Sequence, residues 1–215
     1  MYIIGITGGI GSGKSEVLKY LNDHHQAYTV QLDEIAKQLY HKGQACHEQV
    51  VQTFGTGILD EHGEIVIHKL RELVFGNEPN RLRLNAFVHP AVKRWIIDDI
   101  TKRREEGISL YVMEAALLIE EKYSEICDCL WYIYVDADER IRRLCKNRGL
   151  KEDKIRSIFQ TQFSEDVYRK HCDYEVDNSG DFNDTKKQVD HIISDLFKIL
   201  DETSIKTKDE SVAGS

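Results

Sequence analysis

The chain opens on an apolar, β-branched run from Tyr2 to Ile6 that reads as a buried strand. A glycine-rich stretch follows at once, and behind it Val17, Leu18 and Leu21 fall on one helical face. Tyr28 to Leu32 predicts a second strand, and Ile35, Ala36, Leu39 and Tyr40 give helical spacing behind Asp33. From about Ala45 to Arg104 the pattern is mostly helical, with a polar turn at Asp60 to Gly63. Leu70, Leu73 and Val74 share one face there, and Leu84, Phe87, Val88, Val92, Trp95 and Ile96 form another stripe. Strand signals return at Leu110 to Ile119 and at Leu130 to Val135. Asp136 and Asp138 are candidate N-caps for a helix carrying Ile141, Leu144 and Cys145. A charged helical region from Glu152 to His171, a short strand at Tyr174 to Val176 and a helix from Asp181 to Leu200 complete the pattern. From Asp201 the chain is polar, and 201–215 is expected to form a flexible tail. Strands alternating with helices predict an α/β fold whose parallel sheet is covered on both faces.

A length of 215 residues suits a single domain with room for inserted subdomains. The formal net charge of −8 would repel duplex nucleic acid unless basic residues were segregated, and one local basic cluster occurs, from Arg140 to Arg148. No nucleic-acid partner is expected. The five cysteines are odd in number and form no CxxC pair, which argues against a disulfide framework or zinc ribbon and for a reducing compartment. His24-His25 reads as a helix end rather than a metal site. No apolar run reaches the length of a membrane span, and Met1 to Ile6 leads into the glycine-rich loop without a signal peptide, so the expected location is cytoplasmic, with no membrane partner.

The segment Gly8-Gly9-Ile10-Gly11-Ser12-Gly13-Lys14-Ser15 matches G-x-x-x-x-G-K-[ST]. Each part has a chemical reason. Glycines let the backbone wrap closely around phosphate oxygens, and successive N–H groups form a nest for the anion. The following helix adds the positive end of its dipole. Lys14 reaches toward β- and γ-phosphates, and the Ser15 hydroxyl suits Mg²⁺. Gly9, Gly11, Ser12, Gly13, Lys14, Ser15 and Glu16 are therefore the expected ATP contacts. By chance the pattern arises in roughly one chain of this length in a hundred, and here it also lies between a strand and a helix. The bland alternative is a glycine-rich turn with no ligand. No guanine-reading N-K-x-D is present, Asp60-Glu61-His62-Gly63 fits D-x-x-G only as a turn, and a motor or transporter ATPase needs more chain. What remains is a small-molecule kinase using ATP and Mg²⁺.

Further motifs resemble the dephospho-coenzyme A kinase family. Ile6-Thr7 and the loop through Ser15 are similar to that family's L-T-G-G-I-G-S-G-K-S, and Asp33-Glu34-Ile35-Ala36-Lys37 to its D-x-I-A-R. Leu70 to Phe75 resembles L-R-E-I-V-F, His89-Pro90 an H-P after an apolar helix, and Leu117 to Glu120 L-L-F-E. Asp173 to Gly180 is close to D-Y-V-I-D-N-S-G. The matches run in order from about Ile3 to Gly180. Departures are Glu16 for a usual Thr, Gln31 for an Asp, Lys37 for an Arg, Ile67 for an Arg and Ala116 for a Pro.

The resemblance implies a P-loop NTPase three-layer fold over 1–215, with an inserted helical substrate region at about 35–105 and a helical lid at about 138–172. It also implies transfer of the ATP γ-phosphoryl to the ribose 3′-hydroxyl of dephospho-CoA. Asp33 is the expected base or orienting carboxylate; from the residues alone, capping the helix behind it is an equal reading. Glu114 stands where many members have Asp, and is read either as an aid to the substrate hydroxyl or metal or as a satisfied strand-end carboxylate. Lys37 and His89 are expected near the acceptor, although a His before Pro also suits a packed helix junction. Arg143 and Arg148 are the expected lid residues, with Arg142 on a solvated face, and Asn178 flanks the adenine or holds a turn. The competing readings are a kinase for another nucleoside, nucleotide or sugar acid, and an ATP-gated module without catalysis.

Overall fold

The computed structural model describes the backbone of residues 1–213 and the side chains of residues 1–198. In chain order the elements are β1 (Tyr2–Thr7), α1 (Lys14–His25), β2 (Tyr28–Gln31), α2 (Leu32–Gln38), α3 (His47–Phe54), α4 (Ile67–Val74), α5 (Glu78–Glu105), β3 (Leu110–Glu114), β4 (Cys129–Tyr134), α6 (Ala137–Arg148), α7 (Glu152–Phe159), α8 (Glu165–His171), β5 (Tyr174–Asp177) and α9 (Phe182–Ala213). The backbone divides into two compact units. One holds Met1–Ile6 and Leu21–Cys129, the other Thr7–Tyr20 and the chain from Leu130 on.

In the first unit β3 lies between β1 and β2, and both pairings are parallel. Register runs from Tyr2↔Leu110 to Ile6↔Glu114 on one side and from Tyr28↔Tyr111 to Gln31↔Glu114 on the other. These strands read as continuous apolar runs because parallel strands are buried on both faces; Ile4, Ile6, Val112 and Met113 have no exposed surface. Helices α2 to α5, the expected insert, contribute Ile35, Val50, Leu70, Val92 and Ile96 to a core shared with Tyr111 and Met113. The Asn77 side chain caps α5 by accepting from Asn80 N–H, and Pro79 sits in the first turn, where a missing N–H does no harm. Asp99 is buried, and its charge is balanced by Arg103 Nε at 3.2 Å and Tyr111 Oη at 2.8 Å.

In the second unit β4 and β5 are parallel, from Trp131↔Tyr174 to Tyr134↔Asp177. Asp136, not Asp138, caps α6: its carboxylate accepts from the N–H groups of Asp138 and Glu139, and Gly149 closes the helix at φ 61°. Ile141, Leu144 and Ile155 form a satellite core of α6 and α7, joined by Ile10, Leu150 and Phe159.

The structure departs from the sequence pattern in several places. The stretch from Leu110 to Ile119 begins as a strand, as read, and its strand part ends at Glu114; Leu32, read as the end of β2, already belongs to α2. The charged region from Glu152 to His171 is broken between Phe159 and Glu165. His89-Pro90 is no helix junction, because Pro90 lies inside the 28-residue α5; burial of the stripe around it outweighs the one backbone hydrogen bond a proline removes. Helix α9, read as ending at Leu200, continues in the backbone to Ala213. Side chains of that stretch, and residues 214–215 altogether, lie outside the described residues.

Candidate active site

The phosphate loop leaves the carboxyl end of β1 and enters α1 at Lys14. Gly11 and Gly13 have φ of 81° and 83°, in the left-handed region that favours glycine. Gly13 also has a neighbour where a side chain would stand: a Cβ there would collide with Asn178 Nδ2. That amide donates to Ser12 O at 2.9 Å, while Asn178 Oδ1 accepts from Thr185 Oγ1 at 2.9 Å. Asn178 is buried, and its N–H donates to Tyr134 O. The expected adenine-flanking residue thus braces the loop from behind with its side chain.

Lys14 Nζ lies 2.9 Å from Gly8 O, bent back over the loop it follows. Ser15 and Glu16 are exposed in the first turn of α1, where backbone amides project beyond the helix. The Glu16 N–H is committed to Gly13 O at 3.0 Å. Two hydroxyls of the segment, Thr7 Oγ1 and Ser12 Oγ, are buried without a hydrogen-bond partner in the protein. Buried unpaired hydroxyls are uncommon and mark places where a ligand or water completes the structure.

The basic residues of α6 are engaged unequally. Arg143 donates from Nε to Glu139 Oε1 at 2.7 Å and reaches Ser179 O with Nη2 at 3.4 Å. Arg142 is exposed and also binds Glu139. Together these two guanidinium groups hold the Glu139 carboxyl down at about 2. Arg148 is exposed in the last turn of α6, where a positive charge suits the helix dipole.

In the first unit, Glu114 ends β3 with Ile6 of β1 and Gln31 of β2 as its register partners. Strand carboxyl ends are where open α/β sheets bind ligands. Asp33 follows two residues after Gln31, exposed in the first turn of α2. It does not occupy the cap position, which belongs to Gln31, whose side chain makes no capping bond. Asp33 thus lies inside the first turn of α2, not at its cap. Asp33 is near enough to add to the rise of the Tyr40 hydroxyl, which burial and Cys46 push up to about 12. Lys37 pairs with Glu34 one turn earlier on the exposed face of α2. His89 Nδ1 lies 2.6 Å from Glu121 Oε1, with both side chains partly buried.

A family model described as dephospho-CoA kinase matches residues 2–184. The dephospho-CoA kinase of Carboxydothermus hydrogenoformans is 35% identical over 187 residues, covering 87% of this chain and 90% of that protein. The chain belongs to the dephospho-CoA kinase family. Among solved structures, a Thermus thermophilus protein superposes with a TM-score of 0.75 at 25% identity, over 91% of this chain and 97% of that one. The dephospho-CoA kinase from Campylobacter jejuni gives 0.69 at 20% identity, over the same shares, which supports the α/β P-loop kinase fold.

Within this dephospho-CoA kinase framework, sequence reasoning passed over Arg140, Gln162 and Thr185. Arg140 Nε donates to Ile10 O at 3.0 Å and Nη2 to Gln162 Oε1 at 2.8 Å. Its guanidinium stacks on Phe159, with Cζ 3.9 Å from the ring centroid. One signal was present: Arg140 lies four residues before Leu144 and so shares the face of α6 that is buried. Gln162 and Thr185 carried no such signal: Gln162 acts on Ile10, 152 positions away, and Thr185 acts through one hydroxyl across the turn between β5 and α9.

Proposed function

We propose that this chain transfers the γ-phosphoryl group of ATP to the ribose 3′-hydroxyl of dephospho-CoA, giving CoA and ADP, the last step in making coenzyme A. The observation that carries this reading is the complete phosphate loop, Gly8 to Ser15, in a chain that belongs to the dephospho-CoA kinase family. Transfer of this kind asks for alignment and charge neutralisation rather than covalent chemistry. Gly9, Gly11, Ser12 and Gly13 shape the nest for the phosphates, with Glu16 in the first turn behind them. The positive end of α1 and Lys14 counter the charge that develops on the β–γ bridge. Asp33 orients the acceptor hydroxyl and takes up its proton as oxygen bonds to phosphorus and ADP departs. Arg143 and Arg148 face the nucleotide from the lid, Asn178 holds the loop beneath it, and Lys37, His89 and Glu114 serve the acceptor.

The residues suit Mg²⁺ carried on nucleotide phosphates. A hard cation of this kind takes few protein oxygens beside phosphate and water. Ser15 offers one hydroxyl at the loop, and no cluster of three His, Cys, Asp or Glu fit to cage a metal occurs among the described residues. When bound, the ion would supply charge neutralisation at the phosphates. We place the enzyme in the cytoplasm, a reading supported by five unbridged cysteines.

Incubation with MgATP and dephospho-CoA, with ADP release and CoA mass both followed, tests the assignment. ADP release that depends on dephospho-CoA is expected. Turnover of another acceptor without formation of CoA overturns it, as does ATP binding with no acceptor-dependent turnover.

A further inference from the structure

Ile10 occupies a variable position of the phosphate-loop pattern, yet every group it owns is held. Its side chain packs into the satellite core with Ile141, Leu144 and Ile155. Its N–H donates to Gln162 Oε1 at 3.2 Å, and its carbonyl accepts from Arg140 Nε at 3.0 Å. The two holders are themselves joined, Arg140 Nη2 to Gln162 Oε1 at 2.8 Å, so the backbone of Ile10, on both sides of its Cα, sits in a closed ring of three hydrogen bonds. Phe159 backs the guanidinium from α7, and burial pulls the Arg140 pKa down from its ordinary value, which still leaves it charged.

Gly9 adds an independent observation. Its φ lies outside the left-handed region, so backbone conformation does not demand glycine there. Space does: a Cβ at Gly9 would run into the Arg140 guanidinium, meeting Nη2, Cζ and Nη1 before any other atom. The glycine makes room for the arginine.

We infer that Arg140 and Gln162 are positioning residues, a latch by which the lid fixes the phosphate loop at Ile10 in the shape that receives nucleotide. This rests on the proposed kinase reading but reaches past it, to the origin of the loop's affinity. A loop that must order on binding loses the backbone freedom of each residue it fixes, and a loop already held does not. Releasing about one residue's worth of order weakens nucleotide binding about tenfold. The acceptor side is untouched.

The test uses Arg140→Met, which keeps the stem on Phe159 and removes both donors, together with Gln162→Met and Gly9→Ala. ADP affinity is measured by calorimetry, and KM is measured for each substrate. Arg140→Met is expected to raise the ADP Kd and the KM for ATP about tenfold, while kcat and the KM for dephospho-CoA stay within about twofold. Arg140→Lys, with charge but no fork, recovers part of the loss. Gly9→Ala is expected to weaken nucleotide binding in the parent chain by displacing the guanidinium, and to add less than about twofold once Arg140 is Met. Gln162→Met likewise adds little to Arg140→Met. An unchanged ADP Kd in folded Arg140→Met, or full multiplication of the Gly9 and Arg140 effects, overturns the latch. A parallel rise in both KM values with a fall in melting temperature also overturns it, because that pattern is a general loss of structure. Calorimetry with ADP needs no acceptor, so the latch is judged even if dephospho-CoA proves to be the wrong substrate.

Discussion

Ile10 in the phosphate loop gives its N–H, its carbonyl and its side chain to separate neighbours, whereas Leu70 in the helical insert gives only apolar surface to the core around it. The same contrast extends outward. Around the loop, Asn178, Arg140 and Gln162 make directional bonds to one short segment from distant parts of the chain, and Thr185 holds Asn178 in turn. In the insert, contacts such as Glu34–Lys37 and Glu78–Arg81 join residues one turn apart on exposed helix faces, while others, among them Asp99–Tyr111 and His89–Glu121, reach further. Exposed pairs of that kind add little stability. Hydrogen bonds fix atoms to tenths of an ångström, while apolar burial fixes volumes and leaves the helices latitude. A site that must present several amides to one phosphate needs the first kind of support. The helical insert, proposed to receive the acceptor, is served by the second.

Substitutions sharpen or break this contrast. The largest effect is expected for Lys14→Met, which removes the positive charge at the transferring phosphate: kcat/KM for ATP should fall about a thousandfold or more, read by steady-state kinetics on protein whose circular dichroism is unchanged. Asp33→Ala comes next. Turnover is expected to drop about a few hundredfold while ADP affinity by calorimetry stays within about threefold, and near-normal turnover would remove Asp33 from the mechanism. Leu70→Ala tests the other side. Loss of a side chain with only 3% of its surface exposed should destabilise the fold by about 3 kcal/mol in a denaturant titration, with the KM for ATP in the folded protein unaltered. A rise in that KM would break the division between the two regions.

The smallest effect concerns acid stability. Arg142 and Arg143 hold the Glu139 carboxyl at about 2, below its ordinary value of 4.5. A depressed carboxylate contributes stability above the unfolded pKa, and that contribution fades as pH falls from about 4.5 through about 2. Glu139→Gln should flatten this part of the stability profile by less than about 1 kcal/mol, seen as a smaller drop in melting temperature on acidification.

Legibility in the sequence divides along similar lines. The phosphate loop could be read because its chemistry is contiguous: eight successive residues, a strand before and a helix after. The Asp136 cap and the buried strands β1 and β4 were equally local. Asn178 was visible as a residue of interest, but its contact with Ser12 spans 166 positions, and no pattern in the sequence joins them. Arg140 was masked by its neighbours, since five basic residues between positions 140 and 148 look alike until helix phase is set against the buried Ile141 and Leu144. Proline at position 90 misled for a physical reason: its local preference is to end a helix, and the burial of Val88, Ala91 and Val92 on either side overrides it.

The bond from Asn178 to Ser12, with Thr185 behind it, bears on how the protein comes into being. The glycine-rich segment leaves the ribosome well before the side chains that steady it: Arg140 and Gln162 follow Ile10 by 130 and 152 positions, and Asn178 follows Ser12 by 166. Until those stretches have emerged, the nascent chain carries a nucleotide motif it cannot fully set. Grip on ATP is thus expected to come late in synthesis, and shortened polypeptides ending before Asn178 are expected to lack it.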